Sequence, residues 1–139
     1  MAENKNPTFL KIILVIFTIV VLVYGLCYFI IPDTMVKLSG TEPVFHGWIR
    51  WSGGVLIALG IGAILVIRKP EKQDPFIVSA ALGTLLTGLA LVYAWITPEE
   101  EGNIWFTAVP AILTLVLSAL LWWSRYQARD ILCPQKETE

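Results

Sequence analysis

The sequence predicts an all-α integral membrane protein: a bundle of four transmembrane helices with a short interfacial helix between the first and second spans. Hydrophobic residues make up 56% of the 139 residues, and charged residues only 15%. A soluble domain of this length cannot bury so much apolar surface. The charges also leave four long uncharged stretches, which is the pattern of transmembrane helices. Lipid offers the backbone no hydrogen-bond partner, so such stretches fold as helices.

The uncharged stretches place the spans along the chain. A bilayer core of ~30 Å needs about 20 residues at ~1.5 Å each, and the second span reaches that length only if it begins at Gly47 and includes Arg50. The first stretch is too long for a signal peptide, so we expect a retained helix. We predict a single membrane domain over residues 1–139, with spans at residues 9–31, 47–67, 75–97 and 104–124 and a cytoplasmic tail at residues 125–139.

The segment after the first span predicts a short helix on the outer membrane surface. Asp33 is a favourable N-cap residue, and Gly40 is a favourable helix stop. Met35, Val36 and Leu38 would give this helix one apolar side. An apolar side of this kind is typical of helices that lie in the membrane interface.

Cationic residues are distributed unevenly between the two sides of this four-span topology. Eight of the ten Lys and Arg residues fall at the N-terminus, in the second connection and in the C-terminal tail, which leaves Lys37 and Arg50 for the other side. Cytoplasmic loops are enriched in Lys and Arg. We therefore expect both termini to be cytoplasmic and the protein to lie in the cell (inner) membrane.

Small residues recur every four positions on the second and third spans. Lipid supplies no hydrophobic drive between helices, so small residues that let two backbones approach often mark helix interfaces. We expect the second and third spans to pack against each other along two such stripes. The stripes are Gly54, Ala58 and Gly62 on the second span and Ser79, Gly83 and Thr87 on the third.

The chain's only histidine and an arginine stand at the start of the second span. His46 and Arg50 share one helix face, because residues four apart do. An arginine about one turn inside the membrane needs a partner or a path to water, and Glu42 or the glutamates at residues 99–101 could pair with it. Two interpretations stay open: Arg50 is an interfacial anchor, which we favour, or it binds a ligand.

The second interpretation defines a candidate binding site near the outer leaflet. Aromatic side chains would ring an apolar cavity whose polar end holds Arg50 and His46. The candidate residues are Arg50, His46, Glu42, Trp48, Trp51, Trp95 and Trp105.

The sequence contains no pattern typical of catalysis, metal binding or nucleic-acid binding. We find no nucleophile–base pair, phosphate loop or dinucleotide fingerprint, so we predict no catalytic residue. One histidine with Glu42 is too sparse for a metal site, and we predict none. The net charge of −1 gives no basic field for nucleic acid.

The order of these features resembles the DoxX-like group of small four-helix bacterial membrane proteins. The resemblance is carried by Pro32, Gly40, Arg50, Gly53, Gly54 and Gly60. It implies the same four-helix fold. Some members of that group are linked to quinone-dependent oxidation complexes, but the resemblance implies no established catalytic residue.

Two functions are compatible with the sequence. The first is a non-catalytic accessory or structural subunit that packs in or beside a larger membrane assembly. Its support is the expectation that the cores of the four spans hold no polar group. The second is a binder of a small hydrophobic molecule, a quinone or a lipid, linked to redox chemistry. A transporter or channel is disfavoured, because no ionisable residue lies near the midplane. The expected partners are the lipid bilayer and either further copies of the chain or a larger membrane complex.

Overall fold

The computed structural model describes residues 7–41, 46–97 and 102–134, and these ranges are helical apart from short connections. The helices are α1 (Pro7–Ile30), α2 (Pro32–Ser39), α3 (His46–Arg68), α4 (Asp74–Ile96), α5 (Trp105–Gln127) and α6 (Arg129–Leu132). Helices α1, α3, α4 and α5 are long and apolar enough to cross a membrane. The predicted all-α fold with four spanning helices is therefore confirmed.

We name the two ends of the bundle for reference. The terminal end is the end at which α1 begins and α5 finishes; α3 also finishes there and α4 begins there. At the opposite end, the α2 end, α2 joins α1 to the start of α3, and α4 finishes close to the start of α5. Asn103, just before α5, donates a backbone hydrogen bond of 2.7 Å to the Ser39 carbonyl, so α2 is tied to the α4–α5 connection.

Helix α2 is the short helix predicted between the first two spans. Gly40 ends it as predicted, with a left-handed φ of 72° and an N–H that donates to the Lys37 carbonyl. The predicted N-cap is wrong: Pro32 opens the helix, Ile31 precedes it as the N-cap, and Asp33 lies in the first turn. Proline suits this position because the first N–H of a helix has no intrahelical partner to lose.

Close packing joins the spanning helices into two pairs, α1 with α3 and α4 with α5. At Gly53 of α3, an added Cβ atom would lie 2.7 Å from the carbonyl oxygen of Gly25 on α1. At Gly88 of α4, it would lie 2.7 Å from a side chain of α5. Ser118 Oγ of α5 donates a hydrogen bond of 2.8 Å to the carbonyl of Ala81 on α4. Helix α1 also contacts α5, and this contact joins the two pairs.

The best-packed core lies in the terminal half of the bundle. Leu14, Ala63, Ile77 and Leu121 come from the four spanning helices, and each is fully buried there. The short connection at residues 69–73 holds α3 and α4 together at this end. Tight packing of this kind, rather than water exclusion, holds helices together in lipid.

An ion pair fastens α4 to α5 at the same end. Arg125 Nε donates to Asp74 Oδ1 at 2.7 Å, and Nη2 donates to Oδ2 at 2.9 Å. This two-point geometry is the strong form of the arginine–carboxylate contact. The guanidinium also lies over the Trp122 ring, 5.5 Å from its centroid. Helix α6 folds back on the core through Leu132, which is 1% exposed, so the first part of the predicted tail packs on the bundle.

Helices α3 and α4 barely contact each other, which corrects the predicted packing of the second and third spans. Gly62 does face α4, since an added Cβ atom would lie 2.6 Å from the Phe76 ring. Farther from the terminal end, Cβ atoms at Gly54 and Gly83 would meet nothing within 4 Å, and Ala58 is exposed. The two small-residue stripes therefore diverge instead of forming an interface.

The physical reason is that α3 turns a different set of glycines toward a different helix. Gly53 meets α1 as described above, and a Cβ atom at Gly60 would lie 2.6 Å from the Leu22 side chain of α1. Because the face with Gly53 and Gly60 packs against α1, the stripe that begins at Gly54 faces away from α1 and, at Gly54, meets open space. The space left between the two helix pairs is a cavity.

Candidate binding cavity

A cavity of about 520 Å³ lies between the two helix pairs. Its lining residues fall within 17–28 of α1, 51–59 of α3, 79–91 of α4 and 106–117 of α5. These segments belong mostly to the half of the bundle nearer the α2 end, so the cavity begins where the core stops. Phe17 and Ala80 belong to both the core and the lining, and they close the cavity toward the terminal end. The volume lies within the ~300–1,000 Å³ that is typical of small-molecule sites.

The cavity opens sideways between α3 and α4. Gly83 lies on its α4 wall and has open space around it. Trp51 and Val55 line it from α3 and are 66% and 44% exposed. Because these residues lie within helices of membrane-spanning length, the opening faces the level of the lipid chains. We refer to it as the lateral opening.

The residues that line the cavity are mostly apolar, but several of them carry hydroxyl groups. Thr84 Oγ1 donates to the carbonyls of Ala80 and Ala81 at 2.9 and 3.0 Å. Thr114 Oγ1 donates to the Pro110 carbonyl at 2.8 Å. Both threonine side chains line the cavity, and their hydrogens are already engaged. Their hydroxyls can therefore accept a hydrogen bond from a ligand but have no free donor to offer it.

A second group of lining hydroxyls is not engaged. The cavity is also lined by Tyr24 and Tyr28 of α1 and by Ser79 and Thr87 of α4. Their hydroxyls make no hydrogen bond with any residue of the described ranges. The two tyrosine rings pack edge to face, with centroids 6.0 Å apart. A hydroxyl without a partner can donate to a ligand. The partly buried tyrosines, together with the buried Ser118, correct the expectation that the spans hold no polar group inside the bundle.

The described residues that line the cavity carry no formal charge. Arg50 is exposed and lies outside the lining, although its neighbour Trp51 belongs to it. His46 also lies outside, with Nε2 2.9 Å from Asp33 Oδ1, so it links α3 to α2. The His46 and Asp33 side chains are 38% and 64% exposed, and a polar contact this exposed contributes at most about 1 kcal/mol. The described lining thus offers apolar contacts and hydrogen bonds but no counter-ion.

Of the tryptophans predicted to ring a cavity, Trp51 lines it and the other three do not. Trp48 packs edge to face on Trp51, with ring centroids 6.2 Å apart. Trp95 and Trp105 are 42% and 70% exposed and lie outside the lining. Glu42 lies outside the described residues, as do the glutamates at 99–101. The ligand-binding role of Arg50 and His46 stays a prediction.

Part of the predicted packing stripe belongs to the cavity instead. Ser79, Gly83 and Thr87, which are predicted to form a helix interface, all line the cavity. The tyrosines of α1 were missed altogether. Their signal is the four-residue spacing of Tyr24 and Tyr28, which puts two phenols on one face of an otherwise aliphatic span.

A comparison with protein families finds a match to the family model described as Domain of unknown function (DUF4345), over residues 9–124. The matched region contains every lining residue of the cavity. No curated protein and no solved structure matches the chain. Because the match covers well over half of the chain, the protein belongs to the family described as Domain of unknown function (DUF4345).

Proposed function

We propose that this small membrane protein binds one small hydrophobic molecule, a lipid or a quinone, in the cavity between its helix pairs. The observation that carries the proposal is the cavity itself: about 520 Å³ of mostly apolar space with a lateral opening at the level of the lipid chains. A molecule dissolved in the bilayer would reach it without passing through water. The described lining offers no charge for a coupling ion, which favours binding over ion-coupled transport.

An accessory subunit is the second candidate. It is supported by the α3 stripe, where Gly54 has open space around it and Ala58 is exposed. Small residues on a lipid-facing surface are typical of contacts between transmembrane helices of different chains. The two candidates are compatible, since a subunit of a larger complex can also hold a lipid-soluble molecule. The resemblance to the DoxX-like group would add quinone-linked oxidation as its setting.

Location in the inner membrane, with both termini cytoplasmic, is part of the same proposal. Its support is the excess of Lys and Arg at the terminal end, including Arg68, Lys69 and Lys72 between α3 and α4. In this orientation the cavity lies in the outer leaflet.

Cysteine labelling tests that orientation. The native cysteines, Cys27 and Cys133, are first replaced by serine. In that background, Thr41→Cys should react with a membrane-impermeant maleimide added to intact cells, because Thr41 lies at the α2 end. Gln73→Cys, in the connection at the terminal end, should react only after the cells are opened. Labelling of Gln73→Cys in intact cells would reverse the orientation.

Native mass spectrometry of gently solubilised protein tests the binding proposal. We expect the chain to carry one small lipid-soluble molecule, and an excess of an added apolar probe to displace it. Displacement separates a molecule held in the cavity from annular lipid, which attaches in variable numbers. A chain that carries partner chains and neither retains nor takes up a small molecule would support the accessory role and contradict the binding role.

A further inference from the structure

The geometry points to a specific ligand class: an uncharged amphiphile whose head accepts hydrogen bonds from Tyr24 and Tyr28 and whose apolar tail leaves through the lateral opening between α3 and α4. This inference rests on the proposed function and adds to it the chemistry of the ligand's head and the path of its tail. Three observations support it.

The first observation is the uncharged lining. A charged head group moved into an apolar cavity needs a counter-ion, since burial of an unpaired charge is very costly. The described lining supplies none, and Arg50, close by along α3, lies outside it and is exposed. A phospholipid phosphate or a fatty-acid carboxylate inside the cavity would be unpaired. An uncharged head avoids this penalty.

The second observation is the supply of free donors. The hydroxyl hydrogens of Thr84 and Thr114 are engaged by helix carbonyls. Those of Tyr24 and Tyr28 are not, and both tyrosines line the cavity from α1. Ser79 and Thr87 are also unengaged, but they are exposed, whereas the two tyrosines are partly buried. A ligand head that carries a carbonyl or ether oxygen can accept from them. A head with no acceptor would leave the two phenols without partners beside an apolar surface.

The third observation is the shape of the opening. Gly83 of α4 presents no side chain where the cavity meets the lipid, and the space beside it is open. On the α3 side, the rim includes Val55, which lines the cavity and is 44% exposed. A linear tail can pass between these rims while the head stays inside. The cavity therefore need not hold the whole molecule, and tails of different lengths would be accepted.

Three ring compounds with the same decyl chain test the head chemistry in nanodiscs of zwitterionic lipid. They are decylacetophenone, which has a carbonyl acceptor; decylbenzenesulfonate, which is anionic; and decylbenzene, which has neither feature. We expect decylacetophenone to bind at least about tenfold more tightly than the sulfonate, a difference equal to about 1.4 kcal/mol. It should also bind more tightly than decylbenzene, because only its carbonyl can accept hydrogen bonds from the two tyrosine hydroxyls.

Removal of one phenol hydroxyl at a time tests whether Tyr24 or Tyr28 donates the hydrogen bond to the carbonyl of decylacetophenone. Tyr28→Phe and Tyr24→Phe should each weaken decylacetophenone binding, the more important donor by about three- to tenfold, the usual effect of one hydrogen bond. Decylbenzene binding should not change. The matched control is Tyr93→Phe on α4, because Tyr93 is 66% exposed and does not line the cavity. All three variants should show the helical circular dichroism of the parent.

The outcomes separate this inference from the proposed function. If the three compounds bind equally well, or if both α1 variants bind decylacetophenone like the parent, the inference about the head is wrong while the binding function stands. If the sulfonate binds most tightly, the inference is also wrong and a cation takes part. If none of the compounds binds, the proposed function itself fails.

Discussion

Gly53→Ala is expected to destabilise the protein by about 1–3 kcal/mol, the range for forcing extra volume into a packed interior. An added Cβ atom would lie 2.7 Å from the Gly25 carbonyl oxygen and 2.7 Å from the Phe29 backbone nitrogen. Both are backbone atoms of α1, so no side-chain rotation can relieve the contact. Helices α1 and α3 would have to separate. The measurement is unfolding in mild detergent with increasing dodecyl sulfate, followed by circular dichroism.

The neighbouring glycine supplies the matched control. Gly54→Ala makes the same chemical change one residue along α3, where an added Cβ atom meets nothing within 4 Å. Alanine is the better helix former by up to about 1 kcal/mol, so Gly54→Ala should leave stability unchanged or raise it slightly. Equal stability of the two variants would show that α1 and α3 do not pack through Gly53.

The spanning helices could be predicted because their signal is local. An uncharged run of about 20 residues defines a span by itself, whatever its neighbours are. The partner of each helix face could not be predicted in the same way. Gly53 and Gly54 are adjacent in sequence but point about 100° apart around the helix. Only the three-dimensional arrangement shows that Gly53 faces α1 while Gly54 faces open space.

The candidate site was harder to predict for a related reason. Arg50 and His46 attract attention in an apolar sequence because they are polar, but in the structure they lie outside the cavity. The cavity is a gap left where α3 and α4 diverge, and its polar groups are scattered from Tyr24 to Thr114. A gap has no sequence pattern of its own. Its nearest sequence signal was the small-residue stripe around Gly83, which lines the opening.

The α3–α4 opening can be blocked with one substitution, and its effect on ligand binding should be large. Gly83→Phe places a ring on the cavity wall where the space is open, so the chain should still fold. The ring would occupy the room that a ligand needs. We expect the affinity for decylacetophenone to fall at least about tenfold, which corresponds to about 1.4 kcal/mol or more.

Gly54→Phe is the control for this experiment. It adds the same side chain to α3, also in open space but outside the cavity lining, and a surface change of this kind usually alters energies by no more than about 0.5 kcal/mol. The decisive measurement is therefore the dissociation constant of decylacetophenone for the parent, Gly83→Phe and Gly54→Phe in the same nanodiscs. Tight binding by the parent and by Gly54→Phe, with binding lost in a folded Gly83→Phe, is the result that a cavity site requires. Equal affinity in all three proteins would place the bound molecule elsewhere and contradict the proposed site.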